Sequence, residues 1–237
     1  LSSLADRGFS VNTASHANYY WTFLSLASAL NLDYVTAFLR RMDKKSRDPA
    51  EAFAAIRNSV TSRFLQDRGY RYVHLTSTWG ATMVNPFADE EIRCSRSVFA
   101  NEYFRTLAEA SWLKYFHDRA STDLAAFHET NFRNLADQGA RAGPKFVLAH
   151  LILPHHPYLF NEKGEVIHSA SLSNQFDYQA RLWEDRKQYA AQLQFVNARL
   201  LQVIDSITAT SAVPPIIVLQ SDHGPQLIDG LAKAEQR

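Results

Sequence analysis

The chain has 237 residues, 46% of them apolar, with a nearly balanced charge of +1. Nothing in that balance suggests an electrostatic grip on nucleic acid or on an anionic membrane surface. With 8 glycines, 8 prolines and no repeat, the composition excludes a fibrous or low-complexity chain and points to one large globular domain.

Leu1–Arg7 reads as the end of a helix closed by Gly8, with Phe9–Val11 as a short strand. In the stretch NTASHANYYWTFLSLASALNLDY, the small and aliphatic residues Leu24, Leu26, Ala27 and Leu30 predict a buried helix with Thr22 near its start. Free N–H groups at a helix N-terminus attract anions. A hydroxyl there is placed to attack a phosphoryl or sulfuryl centre, or else simply to cap the helix. Val35–Lys45 continues as a short helix and polar turn. Ala50–Arg68 is predicted as one amphipathic helix with Phe53, Ile56, Val60 and Phe64 on its apolar face, ended by Gly69.

Tyr70–Leu75 alternates like a strand, and Thr76–Glu91 has the composition of a loop leaving its C-terminal end, where Thr78 and Trp79 could line a pocket or pack. Ser97–His117 and Thr122–Gln138 read as two helices joined by a polar turn, and Arg141–Pro144 breaks the pattern before a second strand, Lys145–Leu151. His150, inside that strand, reads as a core histidine. The strand runs into LPHHPYLF, where Pro154 and Pro157 fix the backbone around His155 and His156, of which at most one faces a site. Asn161–Asp177 is a polar excursion. Asp185–Ile207 is a long helix with Tyr189, Leu193, Val196, Leu200 and Ile204 down one face.

That helix is expected to cross back in a right-handed βαβ connection to a buried central strand, Ile216–Leu219. The strand delivers Asp222 and His223 side by side before Gly224 and Pro225 turn the chain away. Ligands of open α/β sheets sit outside the carboxyl ends of the strands, and an acid beside an imidazole there suits a divalent metal.

Several chemistries fall away. No G-x-S-x-G, Walker, G-x-G-x-x-G or H-E-x-x-H motif is present. The single cysteine, Cys94, excludes an intrachain disulfide and a cysteine-rich zinc site. It lies in CSRS, which lacks the x-Pro-x-Arg that a formylglycine-type sulfatase requires, and reads as inert. No apolar run approaches the ~20 residues of a membrane span.

Three stretches together resemble the alkaline phosphatase–sulfatase superfamily: NYYWTFLSLASALN around Thr22, GPKFVLAHLILPHHPYLF around His155 and PPIIVLQSDHGP around Asp222. The likeness is closest to bacterial membrane-anchored sulfatase-like proteins similar to lipoteichoic acid synthases and lipid A phosphoethanolamine transferases. It implies an α/β fold, a three-layer, mostly parallel sheet flanked by helices, formed by residues 1–237 as a single catalytic domain and incomplete at both ends. It implies Asp222, His223 and Thr22 as ligands of a divalent ion (Mn, Zn, Mg or Ca), with one further acidic ligand expected before Leu1. Thr22 matches the nucleophile through its Thr-x-x-Ser pattern with Ser25; Asn18 and Ser15 are the alternatives at that position. His155 matches a catalytic histidine, and His156 and Trp79 are candidate substrate contacts.

The resemblance further implies a small-molecule or lipid-linked phosphate or sulfate ester as substrate. It implies a place on the extracytoplasmic face of a bacterial membrane, reached through segments absent from this chain. The rival expectation is a non-catalytic protein of the same fold serving envelope binding or assembly, to which the crowding of Thr22 by Tyr20 and Trp21 would point.

Overall fold

The computed structural model describes residues 1–38, 48–94, 104, 107, 111, 117–167 and 186–224. Its centre is a parallel sheet of three strands, β1 (Arg71–Leu75), β2 (Glu90–Ile92) and β3 (Lys145–Ala149), in the order β2-β1-β3. Val73 pairs with Glu90 on one side and Val147 on the other. The middle strand carries the most apolar and aromatic bulk, and Tyr72, Val73, His74 and Leu75 are all buried, as a parallel strand covered on both faces requires.

Around the sheet lie α1 (Ser2–Ala5), α2 (Thr22–Asn31), α3 (Val35–Phe38), α4 (Ala50–Arg57), α5 (Val60–Gln66), α6 (Gly80–Met83), α7 (His117–Ala136) and α8 (Arg186–Thr210). Alternating helices and parallel strands make this a mixed α/β arrangement. Two apolar clusters hold it. Ala27 of α2 and Ala52 of α4 are fully buried, and these small side chains let the two helices approach closely beside Val35, Ile56 and Ala81. The larger cluster joins α7 and α8 through Leu124, Phe132, Phe195, Val196 and Val203, with Phe160 stacked on Phe195 at 4.4 Å. Complete burial of a side chain such as Phe160 contributes roughly 1.5–3 kcal/mol.

Several expected elements form: α1 followed by Gly8 at φ 82, the buried helix starting at Thr22, the strands β1 and β3, and the long helix α8. Others differ. Phe9–Val11 is not a strand. The helix expected over 50–68 is two helices. Ser59 takes an extended conformation and its hydroxyl accepts from the Ser62 amide at 3.1 Å, starting α5 afresh. That break rotates the apolar stripe, leaving Ile56 buried but Val60 and Phe64 exposed. The polar turn expected before Thr122 lies inside α7, whose Ala120 and Ser121 are buried against the core. The loop after β1 contains α6 and β2, neither of them expected.

The largest correction concerns Ile216–Leu219. It forms no strand, and Ile216 is 96% and Val218 81% exposed. An aliphatic run becomes a buried central strand only where neighbouring strands complete the ladder on its edges, and no strand among the described residues pairs with it. The crossover helix α8 is in place, but the parallel pairing that would close a βαβ unit is not made. The helix expected over 97–117 lies largely outside the described residues, as do residues 39–45, 168–177 and Pro225.

Candidate active site

Thr22 is the first residue of α2, after Trp21 in an extended conformation at the N-cap. The amides of Leu24 and Ser25 both turn back to the Trp21 carbonyl at 3.0 Å, leaving those of Thr22 and Phe23 without a backbone acceptor among the described residues. At the other end of the helix, Asn31 donates to the carbonyls of Ala27 and Ala55 and accepts from the Val60 amide, tying α2 to α4 and α5. The start of α2 is thus fixed by its end. Tyr20 and Trp21 are half exposed, and the Trp21 ring lies along Phe23 at 6.2 Å.

Against this helix start sits the turn that follows the unpaired 216–219 run. Thr22 Oγ1 lies 3.0 Å from His223 Nε2, and His223 Nε2 lies 3.2 Å from Asp222 Oδ2. Ser25, one helical turn beyond Thr22, donates its hydroxyl to the Asp222 carbonyl, and Ser221 donates to the His223 carbonyl at 2.8 Å. The Ser25 contact therefore fastens the two segments beside Thr22 and His223, and the Ser221 contact braces the turn that carries His223.

The tautomer of His223 follows from its other nitrogen. Nδ1 faces the Gly224 carbonyl at 2.8 Å and can only donate there, which leaves a lone pair on Nε2 in the neutral ring. Nε2 and Asp222 Oδ2 are then two acceptors 3.2 Å apart. Such a pair is stabilised by positive charge between them, either a proton or a metal ion. With the Thr22 hydroxyl they offer two oxygen donors and one nitrogen donor, a set that suits a divalent cation. No group of three or more His, Cys, Asp or Glu that could hold a metal occurs among the described residues, so an ion here would take the Thr22 hydroxyl into its set.

The other expected site residues are placed as follows. His155 is exposed in the turn after β3, its Nδ1 donating to the His156 carbonyl at 2.6 Å. His156 packs its ring edge-to-face on Tyr158 at 5.5 Å. The turn itself is held from below by Gln192 of α8, which is fully buried. Its Oε1 accepts from the Leu159 and Phe160 amides at 2.7 and 3.2 Å, and its Nε2 donates to the Pro154 and His155 carbonyls, both at 3.2 Å. Trp79 packs edge-to-face between Phe53 at 5.3 Å and His150 at 5.4 Å. Asn18 and Ser15 line an open polar cleft of about 380 Å³ beside Ser25, Asp33, Gln220 and Ser221. Of the three nucleophile candidates, Thr22 is the one in hydrogen-bond contact with His223. Cys94 is buried with its Sγ 3.0 Å from Asn131 Oδ1, and burial pushes the thiol above its usual range. That agrees with an inert cysteine.

His150, expected as a core histidine, immediately follows β3 at the carboxyl end of a parallel strand, and its Nδ1 lies 2.8 Å from Thr82 Oγ1, so the ring has a hydrogen-bond partner as that expectation required.

No family model matches the chain, and no curated protein or solved structure matches it. No helix among the described residues is long and apolar enough to cross a membrane.

Proposed function

We propose that residues 1–237 belong to one catalytic domain of the alkaline phosphatase–sulfatase type, a metal-dependent hydrolase or transferase acting on phosphate or sulfate esters. The observation that carries this reading is the meeting of Thr22 with His223 and Asp222 across 201 residues of chain. A hydroxyl at a helix start and an acid–imidazole pair are unrelated features in the sequence, and their contact supports reading them as a nucleophile and its activating donors beside the first-turn amides of α2.

Asp222, His223 and Thr22 would hold the divalent ion (Mn, Zn, Mg or Ca). When bound, that ion would lower the pKa of the coordinated hydroxyl and draw charge from the ester oxygens. The Thr22 oxygen then forms a bond to phosphorus or sulfur as the bond to the leaving alcohol breaks. The hydroxyl proton passes to solvent, and His155 stabilises the charge developing on the leaving oxygen or hands it a proton, which solvent otherwise supplies. The amides of Thr22 and Phe23 receive the non-bridging oxygens. Water or an acceptor hydroxyl displaces Thr22 in the second half, so that one hard displacement becomes two. His156 and Trp79 are proposed to contact the substrate's remaining part. A threonine in the nucleophile position, with no C-x-P-x-R, favours phosphate over sulfate esters.

We place the substrate among small-molecule or lipid-linked esters and the protein on the extracytoplasmic face of a bacterial membrane, both on the resemblance alone. The test is turnover of a phosphodiester by the intact protein with added Mn²⁺ or Zn²⁺, beside a metal analysis. Thr22→Ala is expected to lower kcat by on the order of 10²–10⁴ while the ion stays bound at reduced affinity. Undiminished turnover in that variant overturns the nucleophile. An intact protein that retains no stoichiometric ion and turns over no ester supports the non-catalytic alternative instead.

A further inference from the structure

The loop between β1 and α6 builds a chain of hydrogen bonds that ends on His150. The Trp79 amide donates to Ser77 Oγ at 3.0 Å, Ser77 Oγ lies 2.7 Å from Thr82 Oγ1, and Thr82 Oγ1 lies 2.8 Å from His150 Nδ1. Each hydroxyl has one proton, so the chain can run in two directions. In one, His150 Nδ1–H donates to Thr82, Thr82 to Ser77, and Ser77 is left with the Trp79 carbonyl at 3.3 Å. In the other, Ser77, accepting from the Trp79 amide at 3.0 Å, donates to Thr82 at 2.7 Å and Thr82 donates to His150 Nδ1 at 2.8 Å. The second direction uses only the short contacts and puts the proton of neutral His150 on Nε2.

Thr82 is held firmly enough to impose this. It is 1% exposed, and its carbonyl accepts from both the Ser77 amide and His74 Nε2 at 2.9 Å. Trp79 meets the His150 ring at an interplanar angle of 86°, limiting its rotation.

We propose that Thr82 is a positioning residue that fixes His150 as the Nε2–H tautomer, so that its free N–H is a donor to the ester oxygens held beside Asp222 and His223. The proposal rests on the reading of that crevice as an ester site. A neutral donor has a clear use here. It stabilises charge that develops on a non-bridging oxygen without placing a second cation beside the metal donors. Burial keeps the ring neutral, lowering its pKa to about 4 against the opposing pull of Asp222.

The experiment is a long-range proton–nitrogen correlation spectrum of the ¹⁵N-histidine-labelled protein, which distinguishes the two imidazole tautomers directly. Wild type and Thr82→Ser are expected to show His150 as Nε2–H, and Thr82→Val to lose that preference. Ser77→Ala, which removes the upstream donor but spares Thr82, is the second variant should Thr82→Val fail to fold, and is expected to weaken the preference. In turnover of the phosphodiester, Thr82→Val should lower kcat about 10–100-fold with KM little changed, and Thr82→Ser should restore it. An Nδ1–H tautomer in wild type, or an unchanged tautomer in both Thr82→Val and Ser77→Ala, overturns the proposal. So does full kcat in a Thr82→Val protein whose tautomer has changed. If wild type turns over no ester but His150 shows the Nε2–H form that depends on Thr82, the reading of the crevice fails while the tautomer assignment stands.

Discussion

Ser25 Oγ donates to the carbonyl of Asp222, a residue 197 positions away in the chain. Thr22 and Ser25 lie one helical turn apart on the same face of α2. The first meets the His223 ring and the second grips the backbone that presents it. The Thr-x-x-Ser spacing is thus a geometric device: three residues along a helix is the distance that puts a hydroxyl facing His223 and a hydroxyl holding the Asp222 backbone side by side.

Ser25→Ala tests that division of labour. Ser25 is 5% exposed, and losing its hydrogen bond should cost about 1 kcal/mol in urea denaturation. The effect on the site should be larger in proportion, a 10–100-fold weaker zinc affinity in a competitive chelator titration. Lost stability with full zinc affinity would mean that Ser25 serves the fold alone.

Gln192 offers the corresponding test for the turn that carries His155. Its amide is fully buried and serves five backbone groups, the amides of Leu159 and Phe160 and the carbonyls of Pro154, His155 and Pro157. Gln192→Leu fills the same space but leaves buried backbone groups without partners, each costing about 1–3 kcal/mol. Destabilisation of about 3 kcal/mol is expected, with hydrogen exchange at Leu159 and Phe160 speeding up before that of β1. Uniform exchange at both places would show that the turn does not depend on this side chain.

Asp222, His223 and Thr22 each stand out in the sequence through a local signal, an apolar run before an Asp-His pair or small apolar residues after a hydroxyl, but nothing in the sequence says that Thr22 and His223 meet. The strands β1 and β3 and the helix α8 were legible for the same reason, their periodicity lying within a single element. Gln192 and Thr82 were not legible. Each acts by completing hydrogen bonds of segments far from it in sequence, and nothing in the neighbours of a glutamine within a helix announces which loop it will hold. The break at Ser59 was missed because an apolar stripe at helical spacing outweighed one serine cap. Ile216–Leu219 was misread because burial belongs to the neighbours of a strand, and composition reports only the strand itself.

The pH dependence of folding follows from His150. Burial lowers its pKa to about 4 in the folded chain from an ordinary 6.5. Between those values the unfolded chain binds a proton that the folded chain does not, so this contribution is complete above about 6.5 and is lost as pH falls toward 4. The loss is at most about 3 kcal/mol. His150→Gln should flatten that part of a metal-free stability profile measured by urea denaturation. Glu90, held below the usual carboxylate range chiefly by hydrogen bonds to Arg141, acts in a different window, losing its contribution only as pH falls below the ordinary carboxylate value of 4.5. Glu90→Gln should therefore alter the profile at the acid end and leave the His150 region unchanged.

The unpaired 213–219 run should make the 237-residue chain self-associate. Val213 is 75%, Ile216 96%, Val218 81% and Leu219 45% exposed, and no strand among the described residues covers them. An exposed aliphatic segment with unpaired backbone groups is a template for pairing with another chain. Light scattering at high micromolar concentration should detect association in wild type, and Ile216→Lys with Val218→Lys should suppress it, since a charge on each exposed position must be desolvated to pair. The same double substitution lies before Gln220 and leaves Thr22, Asp222 and His223 in place, so zinc affinity should be retained. A wild-type chain that stays monomeric and binds no hydrophobic dye would show that this segment is covered in solution.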